Sequence, residues 1–418
     1  MKTIIIWRFA ISCCLSLALL IEPLVAHALE SDAERTLTFN GFGTLGATRS
    51  SSPDAGFVRE LSQPHGSAGE WRSEVDSLFG LQANWQASSN LALIGQMVSR
   101  YHLGSSYSPE VMWAFARWEP TGNTSFRVGR LGTDFYMFSD SRQVGYTYLT
   151  VRPSTDFFGV LPFSHIDGGD AQVSIPLAGG ILRGKAHLGW LDETLPLAER
   201  RWNLQGSRML GGSLTYQRGA WTARISSSEL HFKHNLPIDD LTDGLRQAAS
   251  LFPQASAAAD ALNVAGSRSR FHSLGGVYDD GPMQVQLMLS RVQHTSTAFQ
   301  NWWAGYLLAG YRVGEFTPFA GYSWIRSDKK KLNTGIPDGL PYPLNQLNPA
   351  VSGVLADSHS DQHTTSIGLR WDFATNLDLK VQYDLIRGNA ESLFPFRNEA
   401  AKWDGKTNVL TIVLDFIF

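Results

Sequence analysis

About sixteen short segments of this 418-residue chain alternate apolar and polar residues with a period of two, and the gaps between them alternate as well. The segments run near 36–47, 74–86, 89–101, 110–119, 124–131, 170–176, 181–191, 208–216, 220–232, 270–279, 282–293, 302–312, 316–327, 363–373, 376–387 and 408–418. A period of two sends successive side chains to opposite faces of a strand. Even-numbered segments are followed by tight turns such as Ala87-Ser88, Ala178-Gly179-Gly180 and Asp280-Gly281. Odd-numbered ones are mostly followed by longer gaps, the longest near 132–169, 233–269 and 328–362. Short turns on one side and long loops on the other are the layout of an all-β, transmembrane antiparallel barrel, with short periplasmic turns and long extracellular loops. Closure leaves no strand edge to meet lipid.

The polar faces say which solvent lies where. Leu182, Gly184, Ala186, Leu188 and Trp190 oppose Arg183, Lys185 and His187, and Leu377, Leu379, Val381 and Tyr383 oppose Asp378, Lys380, Gln382 and Asp384. A soluble sandwich alternates too. Here, however, charges occupy one face in segment after segment, and the apolar face often ends in an aromatic ring, as at Trp85, Tyr101, Trp118, Trp190, Trp221, Tyr311, Trp324 and Trp371. Such rings suit the membrane–water interface.

Both ends of the chain read as transport signals. Lys2 and Arg8 precede an apolar run from Phe9 to Leu20 that is too short to span a bilayer, and Ala26-His27-Ala28 closes it with small residues. Residues 1–28 are therefore expected to be a cleaved signal peptide and 29–418 the barrel. Cys13 and Cys14 both fall in the leader, which removes thiol chemistry and disulfides from the remainder. That remainder keeps 33 basic of 35 and 37 acidic of 38 residues, too balanced for nucleic-acid binding. At the other end Leu410, Ile412, Leu414, Phe416 and Phe418 share one face, opposite Thr411 and Asp415. A terminal strand of this kind, with Leu414, Phe416 and a final Phe418, resembles the signal read by the assembly machinery of bacterial outer-membrane barrels.

Val151-Arg152-Pro153, Phe157-Phe158-Gly159 and Asp167-Gly168-Gly169-Asp170 resemble the porin-like proteins of proteobacteria. The resemblance extends loosely over residues 29–418. It implies a Gram-negative outer membrane, sixteen strands, a homotrimer, passive diffusion of small hydrophilic solutes or ions, and no cofactor. It also implies that 132–169 is a third loop folded into the barrel as a constriction.

Other motifs read as structure. Gly41-Phe42-Gly43-Thr44-Leu45-Gly46 matches a dinucleotide fingerprint as a string, but a strand pattern runs through it and no helix follows. His231 with His234, and His359 with His363, lie in polar loops or strand starts without a helix to align them as metal ligands. Ser226-Ser227-Ser228 has no local histidine base, so an outer-membrane hydrolase is a weaker reading than a pore. Within 235–262, Leu241, Leu245, Ala248, Ala249 and Leu251 have helical spacing and 255–262 is alanine-rich, which suggests a short helix or two over the outer mouth. An adhesin or receptor acting through such loops is the alternative of a different class.

Strand parity points Arg100, Arg127, Arg183, Lys185, Arg224, Arg312, Arg370 and Lys380 inward, together with Asp76, Asp170, Asp372, Asp378, Asp384 and Asp415. The third loop adds Asp134, Asp140, Asp156 and Asp167 against Arg142 and Arg152. The expected site is a basic wall facing a more acidic loop, whose field ranks solutes by charge. The competing reading is a set of structural ion pairs lining a wide lumen.

Overall fold

The computed structural model describes residues 36–159, 161, 163–197, 200–389, 396–397 and 403–418; the expected signal peptide lies outside them. Sixteen long strands follow one another: β1 (Thr36–Ser50), β2 (Leu78–Ser88), β3 (Leu91–Arg100), β4 (Glu110–Thr121), β5 (Thr124–Gly132), β6 (His165–Leu177), β7 (Gly180–Trp190), β8 (Arg208–Arg218), β9 (Trp221–His231), β10 (Arg268–Asp280), β11 (Met283–His294), β12 (Trp302–Tyr311), β13 (Phe316–Ser327), β14 (Asp361–Ala374), β15 (Leu377–Gly388) and β16 (Lys406–Ile417). Each pairs antiparallel with its neighbours in sequence, and β1 pairs with both β2 and β16. The sheet is thus a closed barrel of the number and order read from the dyad pattern.

The closing seam explains two of the glycines in the dinucleotide-like string. Gly43 lies opposite Phe416, and the Gly41 amide donates to the Phe418 carbonyl at 2.9 Å. A Cβ at Gly41 would overlap the Phe418 ring and one at Gly43 the Phe416 ring, so both positions need the bare backbone. On β16, Thr411 and Asp415 are wholly buried toward the lumen, while Ile412 and Phe418 are exposed on the outer face.

Aromatic residues ring the short-turn end on the outer face. Trp118 stacks on Phe126 (5.6 Å between centroids), Trp221 meets Tyr278 (4.8 Å) and Phe316 stacks on Trp371 (5.6 Å). Tyr101 is a correction to the expected belt. It follows the last residue of β3, leaves the strand's parity, and is buried against Tyr107. Strand β6 also begins at His165, earlier than its alternation suggests. Arg130 and Asp167 face each other across the β5–β6 pair and bond at 2.7 Å, carrying the ladder toward the outer rim.

The long connections are 51–77, 101–109, 133–164, 191–207, 232–267, 295–301, 328–360 and 389–405. The third holds a short helix, α1 (Thr155–Phe158); the fifth holds α2 (Asp239–Ala248) and α3 (Gln254–Ala261); the seventh holds α4 (Leu347–Ala356). Within the fourth, Thr194–Leu197 pairs with Arg200–Asn203 as a small hairpin. These loops share one apolar core with the inward faces of β8–β13, including Met209, Leu230, Phe271, Met288, Tyr306 and Phe319. The expectation of a polar lumen face therefore fails over this arc. Its outer half packs against protein rather than water, so apolar side chains are favoured there.

Candidate functional site: the third loop inside the barrel

The segment 133–164 runs inside the barrel and is bonded to the wall along its length. At its start, Lys185 Nζ of β7 donates to Asp134 Oδ2 at 2.8 Å, and the Arg224 guanidinium of β9 lies 2.5 Å from Asp134 Oδ1. The Phe135 carbonyl accepts from Ser226 and Ser273, the latter at 3.2 Å. Further on, Arg370 of β14 donates to the carbonyls of Tyr146 (2.7 Å) and Tyr148 (3.0 Å), and Lys380 Nζ of β15 donates to the Gly145 carbonyl at 2.8 Å. Near the end, Asp156 accepts from Ser323 and Gln362, each at 2.7 Å.

Arg152 is the most heavily engaged of these loop groups. Its Nε and Nη2 donate to both oxygens of Asp76 at 2.8 and 2.7 Å, Nη2 also donates to Thr411 Oγ1 at 2.5 Å, and Nη1 reaches Asp384 at 3.3 Å. Its guanidinium also stands 5.0 Å over the Phe57 ring. Arg152, Asp76 and Asp384 are all buried, so this is a desolvated two-carboxylate clamp on one cation. Beside it Lys380 bonds Asp415 at 2.8 Å, Thr44 donates to Asp415, and Arg370 meets Asp372 and Asp378 at 2.7 and 3.1 Å.

The polarity of the contact therefore reverses along the loop. At Asp134 the loop is acidic and the wall basic; at Arg152 the loop is basic and its partners acidic. Burial would raise the Asp134 pKa, but the cations of Lys185 and Arg224 overcome it and hold the carboxyl at about 2. A depressed carboxyl contributes its stability above the ordinary carboxylate range, and that contribution is lost only as pH falls through the depressed value. This anchor thus persists into strong acid.

Gly145 lets the loop touch the wall. A Cβ there would overlap Asp415 Oδ1 and Thr44 Oγ1, both wholly buried. Gly145→Ala is expected to cost roughly 1–3 kcal/mol through this overpacking, read as a lower temperature for loss of the compact barrel band on gels. An unchanged transition would mean that the loop rides free of β16.

Between the loop and the wall of β4–β11 lies a cavity of about 790 Å³. Arg127, Asp170, Arg183, Lys185 and Arg224 line it, with Asp134 and Asp140 from the loop. Arg127 clamps Asp170 at 3.0 and 2.5 Å, and Lys185 lies 3.3 Å from Asp170. Arg183 is exposed and has no acidic partner among the described residues. The remaining sequence candidates lie elsewhere. Arg100 is paired with Glu60 and Glu110, and Asp167 with Arg130 at the outer end of β6. Arg312 is exposed in the short connection after β12. Asp140 and Arg142 are in the loop, and Arg142 donates to the Phe163 carbonyl at 3.0 Å.

Sequence reasoning missed the aromatic layer of the loop. Tyr136 and Phe157 are wholly buried with centroids 4.7 Å apart, and Phe157 meets Tyr306 of β12 edge-on at 5.2 Å. The available signal was the two-sided apolar composition of β12 and of 135–138.

The histidine pairs do not converge. His231 bonds Glu229 at 2.6 Å, His234 the Gln205 carbonyl at 3.1 Å and His359 Ser327 at 2.8 Å, while His363 makes a tilted ring contact with Tyr322 at 5.8 Å. Among the described residues no three His, Cys, Asp or Glu side chains are grouped to hold a metal. Ser228 lies 3.4 Å from His187 Nε2, and among the described residues no carboxylate bonds that ring to orient it.

No protein-family model matches the sequence, and no curated protein matches it either. Solved structures do. OmpF of Salmonella typhi, in complex with daunomycin, superposes with a TM-score of 0.55 at 14% identity, covering 92% of this chain and 98% of that one. The outer-membrane channel DcaP of Acinetobacter baumannii gives 0.55 at 13% identity, over 93% and 99%. OmpT of Vibrio cholerae, an outer-membrane protein solved in a trimer form, gives 0.52 at 14% identity, over 92% and 99%. The chain thus has the closed sixteen-stranded antiparallel barrel fold found among outer-membrane porins and channels.

Proposed function

We propose that this chain is a passive outer-membrane channel for small hydrophilic solutes and ions, with no catalytic step and no cofactor. The observation that carries this reading is the charged cavity of about 790 Å³ held inside the barrel by the third loop. A water-filled passage lined by fixed charges of both signs sorts solutes by size and charge. Export by removal of residues 1–28, insertion by the assembly machinery through β16 and Phe418, and assembly as a homotrimer belong to the same reading. The trimer form of the Vibrio cholerae protein supports the last of these.

The lining carries five basic and five acidic side chains, so small changes decide its sign. Replacing Arg183 and Lys185 by Gln is expected to move the zero-current potential in a salt gradient toward cation preference. An unchanged potential would place the ion path outside this cavity. The primary test is planar-bilayer conductance of the refolded chain. Stepwise openings are expected; a heat-modifiable barrel without conductance at any voltage would overturn the proposal and favour a receptor acting through its outer loops.

A further inference from the structure

A second internal space lies in the outer half of the barrel, apart from the charged cavity. It measures about 180 Å³ and is lined by Trp202, Phe232, Phe271, Phe299, Trp302 and His294, among other residues, with Ser358 and Ser360 of the seventh loop. Four of these rings form a continuous group: Trp202 lies 5.2 Å from Phe232 and 5.5 Å from Phe299, and His294 lies 5.2 Å from Phe299. A space of this size is comparable to the apolar cavity of ~150 Å³ that takes up benzene. Rings offered on several sides favour an aromatic guest through offset and edge contacts.

The polar groups narrow the class further. Trp202 is 6% exposed, and its indole Nε1–H meets no acceptor among the described residues. A buried donor without an acceptor is costly, and a guest bearing one acceptor removes that cost. No Lys or Arg lines the space, and Asp357 does. A carboxylate guest would enter without a counter-charge, and a cation would have to compete for an Asp357 that is already engaged, so the guest is neutral.

We propose that this chamber binds one neutral, single-ring aromatic molecule carrying a hydrogen-bond acceptor, with Trp202 as the donor. The proposal is independent of conduction, since it concerns equilibrium binding in the outer half. Trp202 was not among the residues that sequence reasoning marked, because it lies in a loop hairpin with no strand parity to read.

The test is a fluorine NMR titration of the full refolded barrel in micelles, with protein-free micelles as the reference. The probes are 4-fluorophenol, fluorobenzene and 4-fluorobenzoate. Saturable binding is expected for 4-fluorophenol, weaker binding for fluorobenzene, and none for 4-fluorobenzoate. Trp202→Phe, which keeps a ring and removes the donor, should weaken 4-fluorophenol by about five-fold and leave fluorobenzene unchanged. Leu236→Trp, which fills the chamber from a loop, should abolish both. If that variant gives no folded barrel, Val292→Phe serves the same end from β11. The proposal is overturned by 4-fluorophenol partitioning no differently from empty micelles, by binding that survives in a folded filled variant, or by 4-fluorobenzoate binding equally well. Unchanged 4-fluorophenol affinity in Trp202→Phe would likewise remove Trp202 as the donor.

Discussion

Arg152→Ala is expected to raise single-channel conductance and to lower the temperature at which the compact barrel is lost. The substitution leaves Asp76 and Asp384 facing each other across a buried site without their shared cation. Removing one member of a buried pair costs roughly 3–5 kcal/mol, because the remaining charge stays desolvated. The charge can be relieved by proton uptake or by the loop leaving the wall so that water reaches the carboxylates; the second is the one that conductance reads. That response limits the loss of stability and widens the lumen, so the two readouts trade against each other. Arg152→Lys keeps the charge but not the fork that meets both Asp76 oxygens, and should fall between. Wild-type conductance together with a wild-type transition in Arg152→Ala would show that the loop is held by its other anchors alone.

The other anchors are real competitors. Lys380 bonds Gly145 and Asp415, and Arg370 bonds two loop carbonyls, so the middle of the loop stays tied when its Arg152 end is freed. Asp134 holds the opposite end through Lys185 and Arg224. Loss of Arg152 should therefore release the segment near 149–154 first, because Asp156 stays bonded to Ser323 and Gln362 beyond it.

The barrel was legible because lipid and lumen impose a strict period of two on every strand, and because turns and loops fall on opposite sides. That is why β7, with Arg183, Lys185 and His187 against Leu182, Leu188 and Trp190, could be read in isolation. Strand boundaries drifted where a cross-strand charge pair such as Arg130–Asp167 extended the ladder beyond the apolar pattern. Parity placed Lys185, Arg224 and Lys380 near one another in direction but could not choose their partners. Arg152 and Asp134 lie on a loop with no period, and their targets are far away in sequence: Asp76 in the first long connection and Asp384, Lys185 and Arg224 on strands. Two-sided apolar strands were the neglected signal. In β12, Trp302, Ala304, Tyr306 and Leu308 are buried inward while Trp303, Leu307 and Tyr311 face out. A strand apolar on both faces has protein on its inner side, and this one has the third loop.

The last consequence concerns that layer. Phe157→Ala is expected to destabilise the barrel by about 3–5 kcal/mol, the usual range for emptying a close-packed aromatic site. It should also admit larger neutral solutes in a liposome-swelling assay. Phe157 fills the space between Tyr136 and Tyr306, with centroids at 4.7 and 5.2 Å. The Tyr306 hydroxyl donates to Gln286 Oε1 at 3.1 Å, and Gln286 lines the charged cavity. Phe157 is thus packed against the ring that meets the polar space on its other side. A void left there borders a polar, water-accessible region, so hydration is favoured over a dry cavity. Water entry would offset part of the stability loss and connect the cavity toward the outer half. Phe157→Ala combined with Tyr306→Ala should cost less than the two changes added, since both remove the same contact. Strict additivity, or a destabilised barrel whose swelling rates match wild type, would mean that the barrier to solutes lies elsewhere in the loop and that the aromatic layer serves packing alone.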